Sequence, residues 1–480
     1  MTLHIERALC RFLLSVAIAL LLAQCTFAQI NSAERRVHTC SPAPCILPPV
    51  LASESGSEVT DAPIAADPRN PKHMIVGSDD FNCPDPSLLG FHLSSDGGST
   101  WNTMCMTSVI DGEHEYYPEI NPSVGFDLNG VAYIAGDYGD TEQAGGVVGV
   151  ETSRDGMHWS SPVIALSATD RFTDYSFLTL DSNPASPFAN RLYVSSVLIG
   201  PLGDNSKNQV AVSHSGDGGS TWTVVPVGPE QTFPASDAYT DMAVEKDGTV
   251  YVAWQHCADS GRDVGCSDRE VYTLFSKSTD GGGTWSSPKI ITKIDRGTSL
   301  CQCASGILPN SNTIRVYNYP ALAIDNSVGP HAGTVYVSMY SWTGTYMRVG
   351  VIRSTDGGDS WSKPVPVAPP SNTHDQFFPW ISVSPTGLVG VSWLDRRNDP
   401  ANVNYQAFAA ISTDGGKTFQ PNIRLTSSFS DPNQNGYPQN LWMGDYTGNT
   451  WAGPNNFVAA WMDSSNGIDM QDVVGGIRLK

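Results

Sequence analysis

The chain has 480 residues, enough for one large repeat domain or two ordinary ones. Only 16% of residues are charged, while Gly (45) and Pro (33) are abundant, a balance that suits many short strands and turns rather than long helices. The formal net charge of −21, with no basic run, argues against nucleic acid or an anionic membrane as partner.

Residues 1–28 have the pattern of an export signal. Arg7 and Arg11 precede the apolar run Phe12 to Ala23, and Thr26-Phe27-Ala28 offers a small-x-small cleavage site before Gln29. Gln24 before Cys25 fits a lipoprotein signal poorly, so cleavage near Ala28 is preferred to lipidation at Cys25, and a secreted or periplasmic protein is expected. No later apolar stretch reaches the roughly 20 residues of a membrane-spanning helix. Eight cysteines then remain: Cys40, Cys45, Cys83, Cys105, Cys257, Cys266, Cys301 and Cys303. An even number in an exported chain reads as disulfides, with the pairing left open. Zinc is the weaker reading, because Cys301-Gln302-Cys303 has no matching C-x-x-C partner.

Residues 29–59 are rich in Pro and Ser, with one strand-like piece, Ile46 to Ala52. From residue 60 to 480 a unit of four short strands repeats. Its first strand is apolar and usually ends in an acid: Ile64–Asp67, Val124–Asp127, Leu178–Asp181, Met242–Glu245, Leu322–Asp325, Ile381–Ser384 and, as the seventh, Leu441–Asp445. Second strands follow, as in Val250–Trp254 and Leu388–Trp393, with period-two alternation in Thr249 to Trp254. Four strands per unit make one propeller blade. The seventh unit ends at Val473 to Lys480 without a fourth strand, and Ile46 to Ala52 resembles the fourth strands elsewhere. The expectation is therefore an all-β, single seven-bladed propeller whose ring is closed by the N-terminal strand, since closure hides sheet edges. Six blades are the alternative.

Between the third and fourth strands lies S-x-D-G-G-x-[ST]-[WF], starting at Ser94, Ser153 (one residue short), Ser215, Ser278, Ser354 and Ser412. This is hairpin-turn chemistry. The Gly pair supplies positive φ, and Asp96, Asp155, Asp217, Asp280, Asp356 and Asp414 can each accept from the backbone of their own turn. The closing Trp or Phe is an apolar plug. Nothing in the motif is a nucleophile or a phosphate cradle.

The motif resembles the Asp box, or bacterial neuraminidase repeat, of the sialidase-like β-propellers. Within that family the chain is most similar, over about residues 45–480, to secreted bacterial proteins with Trp-x-Asp ending second strands, here Trp393-Leu394-Asp395 and Trp461-Met462-Asp463. The resemblance implies that Asp boxes lie on the face opposite the active site and are structural. Function is then expected among the second-to-third-strand loops and blade linkers of the other face.

That face gathers carboxylates and aromatic rings suited to sugars or cations. They include Asp79, Asp80, Asp137, Glu119 and Tyr117, then Asp174, Tyr175, Asp237, Tyr239, Asp241, Arg315, Tyr317, Tyr319, Trp342, Asp375 and Asp472. Asp79, Asp80, Asp137 and Glu119 are the candidate catalytic carboxylates, and Arg396, Arg397, Tyr117 and Trp342 the candidate substrate-binding residues. Arg396 and Arg397 have the forked geometry that grips an anion, but their neighbours Asp395 and Asp399 are equally suited to pair with them. A sialidase also needs three Arg residues, a Tyr nucleophile paired with a Glu, and an Asp acid/base. The family's [FY]-R-I-P motif is missing here, and Arg69 falls on the Asp-box face, so no catalytic residue carries over. The acidic loops also disfavour an anionic sugar. Two functions follow: a glycoside hydrolase acting on neutral or cationic sugars, or a non-catalytic propeller binding a glycan or protein. The protein is expected to be a monomer and to need no cofactor, and calcium held by loop carboxylates is compatible with either function.

Overall fold

The computed structural model describes residues 40–140, 145–168, 170–204, 206–258, 270–295, 306–419, 421–434 and 442–480. Among them there is no helix, and the strands form seven antiparallel sheets of propeller type. Blade 3 shows the pattern most plainly: Phe172–Leu180, Leu192–Gly200, Lys207–Ser215 and Thr223–Pro226 pair in chain order. The seventh blade orders Gly448–Trp451, Asn456–Asp463, Gln471–Arg478 and then Cys45–Leu51. Cys45 pairs with Arg478 and Leu51 with Val473, so the N-terminal strand closes the ring as expected, with seven blades and not six.

One first strand differs from its sequence assignment. Blade 7 begins at Gly448–Trp451, not at Leu441–Asp445. Trp442-Met443-Gly444-Asp445 imitates the apolar-then-acid signature, but the chain turns between Trp451 and Asn456, where Gly453 takes a φ of 78°. Asp445 therefore sits above its inner strand, at the opposite end from Asp67 or Asp127. First strands in blades 2, 3, 4 and 6 are also longer than expected, reaching 13 residues in His114–Phe126, and absorb residues assigned to linkers. Each contains a register shift, a bulge that bends the strand.

The second strands are buried on both sides, as Met74–Asp80 and Val389–Asp395 are throughout. Trp254, Trp393 and Trp461 are among the largest fully buried side chains. The Trp-x-Asp pattern has a direct cause: the indole N–H of Trp393 donates to Asp395 Oδ2 (2.8 Å) and that of Trp461 to Asp463 Oδ2 (3.2 Å). A buried indole thereby keeps a partner.

The Asp boxes bond as turns. Asp96 Oδ1 accepts from Ser94 Oγ and the N–H groups of Ser99 and Thr100, each at 2.9 Å, and its Oδ2 accepts from Thr100 Oγ1 at 2.7 Å. The same serine and fourth-residue bonds recur at Asp217, Asp280, Asp356 and Asp414. In the short copy, Asp155 keeps the serine bond (Ser153 Oγ, 3.3 Å) and accepts from the N–H groups of Met157 and His158 and from the His158 imidazole.

Disulfides join Cys40 to Cys45 and Cys83 to Cys105. Cys257 is also disulfide-bonded. Cys266, Cys301 and Cys303 lie outside the described residues, as does the expected signal at 1–28. No helix among the described residues is long and apolar enough to cross a membrane.

Candidate functional site at the mouth of the central channel

One residue at or just before each inner strand forms a ring: Asp61, Asn121, Tyr175, Tyr239, Tyr319, Phe378 and Tyr446, with bulges at the four from blades 2, 3, 4 and 6. Five of them, Asp61, Asn121, Tyr175, Tyr239 and Phe378, hold a positive φ between 48° and 61°, a conformation non-glycine residues seldom adopt. Backbone strain of this kind concentrates at sites that need a set geometry. Blade-to-blade bonds fix the ring: Thr240 Oγ1 donates to the Tyr175 carbonyl (2.8 Å), and Thr447 Oγ1 to the Phe378 carbonyl (2.9 Å).

Below this ring the channel is plugged. Phe177 stacks on Trp380 (centroids 5.2 Å apart) and meets Tyr446 edge-on (5.4 Å), although these residues come from blades 3, 6 and 7. Tyr319 closes the remaining side against Tyr446 (5.0 Å), and the Tyr446 hydroxyl donates to the Pro122 carbonyl at 2.5 Å. The aromatic floor makes the channel a cup rather than a pore.

Above the floor the cup is acidic. Asp61, Asp79 and Asp472 are essentially inaccessible and Asp445 nearly so, whereas Asp174 and Tyr175 are partly exposed. Asp61 Oδ1 accepts the backbone N–H groups of Asp445 and Tyr446. Among the described residues no N–H or hydroxyl group donates to either Asp79 oxygen. Burial pushes its pKa well above the usual carboxylate range, and the neighbouring Asp61, Asp445 and Asp472 add to the shift. Asp61 is raised by burial to about 6, with the two N–H groups opposing. Two neighbouring carboxylates cannot both ionise cheaply, so Asp61 and Asp79 each disfavour the other's charge. Asp445 is raised by burial and then by Asp61, against Arg315 and the Trp442 indole, which donates at 2.6 Å.

Asp174 is raised by burial to about 7, with Asp137 adding to the shift. It accepts from the Tyr175 N–H (2.8 Å) and Asn121 Nδ2 (3.1 Å). Arg315 lies over the Tyr317 ring at 4.9 Å; burial works against its charge, but Tyr317 and Asp445 outweigh that. Its field lowers Asp61, Asp174 and Asp445. Tyr175, Tyr239 and Tyr317 form an aromatic wall with centroid separations of 4.7 and 4.8 Å.

The other sequence candidates are dispersed. Asp137 is buried and taken up by Asn121 Nδ2 (2.8 Å) and Ser176 Oγ (2.7 Å), which makes it the support of Asp174's neighbour. Asp80 points to the opposite side of its strand from Asp79 and accepts from Asn82 (2.9 Å). Glu119 is exposed beside Gly139, and the Tyr117 hydroxyl donates to Glu115 (2.9 Å). Trp342 sits at a hairpin end of blade 5. Arg396 is fully buried and donates to the Pro309 carbonyl (2.5 Å) and Asp375 Oδ2 (3.5 Å). Arg397 donates to Asp395 (2.5 Å) and Asn422 (3.0 Å), over the Phe408 ring at 4.3 Å. Both guanidinium groups are thus engaged within the protein, Arg396 with Asp375 rather than with its sequence neighbours.

Sequence reasoning did not rank Asp61 or Asp445. Asp61 stood outside the repeat signature and Asp445 was absorbed into it by the misassigned strand. Among the described residues no group of three or more acidic, His or Cys side chains is arranged to hold a metal ion.

No family model and no curated protein matches the chain. Solved structures do resemble it in shape. A protein of unknown function from Dyadobacter fermentans is 12% identical, with 92% of this chain and 100% of that one covered and a TM-score of 0.47. The intramolecular trans-sialidase from Ruminococcus gnavus is 14% identical, with 78% and 98% covered and a TM-score of 0.47. An α-L-arabinofuranosidase from Fusarium graminearum is 11% identical, with 92% and 98% covered and a TM-score of 0.45.

Proposed function

We propose that the protein is a carbohydrate-directed propeller whose channel-mouth cup cleaves glycosides of neutral or cationic sugars. The observation that carries this reading is Asp174: a partly exposed carboxyl, held near half-protonated at neutral pH, beside a tyrosine wall and an inaccessible carboxylate pair. A general acid needs a pKa near the working pH, and glycosidases set two carboxyl groups to different values by environment. Asp174 would protonate the leaving oxygen. Tyr175 and Tyr239 offer the ring faces on which a sugar stacks. Arg315 faces several carboxyl groups, so the cup stays acidic and an anionic sugar is disfavoured.

The test is a fluorogenic glycoside panel, with a sialoside included, run with and without Ca²⁺. Turnover is expected to fall as pH rises through about 7 and to drop by at least a hundredfold in Asp174→Asn. Asp414→Asn, on the opposite face, should leave the turnover of folded protein unchanged. A well-folded protein silent across the panel would sink the hydrolase and leave a binding propeller.

A further inference from the structure

Between blades 4 and 5 the chain folds into a small hairpin, Gly306–Ile307 and Arg315–Val316, with Gly306 paired to Val316 and Ile307 to Arg315. Leu308, Ile314 and Val316 are at most 1% exposed. Its tip is tied to residues that follow blade 5 in the chain. Asn310 Nδ2 donates to the Ala401 carbonyl (3.1 Å), Arg396 donates to the Pro309 carbonyl (2.5 Å), and Asn433 Oδ1 accepts the Asn312 N–H (2.7 Å). These bonds fix the backbone that carries Arg315.

The Arg315 side chain is held in place but left unpaired. It is half-buried, its Nε is inaccessible, and among the described residues its guanidinium makes no hydrogen bond and no ion pair. A guanidinium has five N–H donors, and taking them from water without partners is costly. Its neighbours are the walls of the cup: the Tyr317 ring at 4.9 Å, with Asp445, Tyr239 and Tyr175 close enough to act on its charge. Arg348 Nε is also unpartnered, but in a gap at the outer strand of blade 5, where Pro364 and Pro366 face it.

We propose that Arg315 determines the specificity of the cup by donating, through its fork, to two adjacent hydroxyls of a neutral sugar ring. The proposal rests on the reading of the cup as the sugar site. A guanidinium fork matches two oxygens held side by side. A carboxylate presents such a pair, but its oxygens only accept, and it would set another anion against Asp61, Asp174 and Asp445. A hydroxyl accepts from Arg315 and donates onward to a carboxylate, so it serves both kinds of neighbour. An ammonium group there would be repelled by Arg315. The substrate class narrows from neutral or cationic sugars to neutral sugars with a free vicinal diol.

Binding and turnover are read separately, both on the full chain. Calorimetric titration of Asp174→Asn, which silences the proposed acid, uses methyl glycosides of glucose, galactose, mannose, xylose and arabinose, then the monodeoxy analogues of whichever binds. Loss of either of two neighbouring hydroxyls should weaken binding about tenfold. Arg315→Lys keeps the charge without the fork; it should weaken binding about tenfold and remove one of the two deoxy penalties. Arg315→Met should weaken binding about a hundredfold, with tryptophan fluorescence confirming the fold of both variants. The proposal is overturned by no binding to any glycoside, by Arg315→Lys binding as tightly as its parent, or by deoxy penalties that are not adjacent. Turnover of the fluorogenic panel separates this role from the hydrolase. Activity with kcat/KM unchanged in Arg315→Met would overturn the role of Arg315 and leave the hydrolase standing. A silent panel with Arg315-dependent binding would sink the hydrolase and keep the sugar site.

Discussion

Replacing Asp375 with alanine should be among the most damaging single changes in the chain, and worse than replacing its partner Arg396. Both residues are fully buried. Asp375 is the anion beside the guanidinium, at 3.5 Å, and among the described residues its other hydrogen-bond partner is the Pro309 carbonyl. Two unit charges at that distance, in an effective dielectric near 20, attract by about 5 kcal/mol. Removing one member of a buried pair typically costs about 3–5 kcal/mol, because the other is left charged in a dry site. Arg396→Met leaves Asp375 with the Met347 N–H (2.9 Å) and Asn402 Nδ2 (2.6 Å), so its charge stays solvated by donors. The loss there should be roughly 1–2 kcal/mol, on the scale of the hydrogen bonds removed. The double variant should be more stable than Asp375→Ala alone. Urea unfolding followed by tryptophan fluorescence reads all three. If Asp375→Ala costs no more than Arg396→Met, or if the two losses simply add, the buried-charge argument fails.

Two further outcomes follow from the buried groups and the covalent links. Burial raises Asp61 to about 6 and Asp174 and Asp241 to about 7, all from an ordinary 3.8. The folded protein therefore binds more protons than the unfolded chain between about pH 4 and 7. Stability from these groups is fully present below about 4 and is lost as pH rises through 6 to 7, so the urea midpoint should fall from pH 5 to 8. Asp241→Asn should flatten that fall, and a midpoint that climbs over the same range would refute the assignment. The Asp-box carboxylates, held below the ordinary range by their turn bonds, act in the opposite direction and only in acid. Separately, Cys83→Ser/Cys105→Ser opens a loop with a sequence separation of 22 at the first blade. Loop entropy predicts a loss of about 3 kcal/mol, and a variant with an unchanged melting curve would show that strand pairing alone holds that edge.

What the sequence determined was whatever is local and repeated. Asp-box positions follow from turn chemistry that each copy satisfies within itself, so Asp96, Asp217 and Asp356 were readable as structural without any neighbour. Seven blades and the closing strand followed from counting strands and finding the last unit one short. The cup was only half legible. Its polar residues could be assigned to a face, and Asp79, Asp174, Tyr175 and Arg315 were among them. Which carboxylates meet was a matter of tertiary structure. Asp61 and Asp79 are 18 residues apart in sequence, Asp445 and Asp472 several hundred further on, and only ring closure brings them to one axis. Nor could sequence say that Arg396 turns inward to Asp375, or that the strand before Asp445 is no strand. Alternation and spacing fix what a residue's own strand does; burial, and with it every shifted proton, is set by what the other six blades place around it.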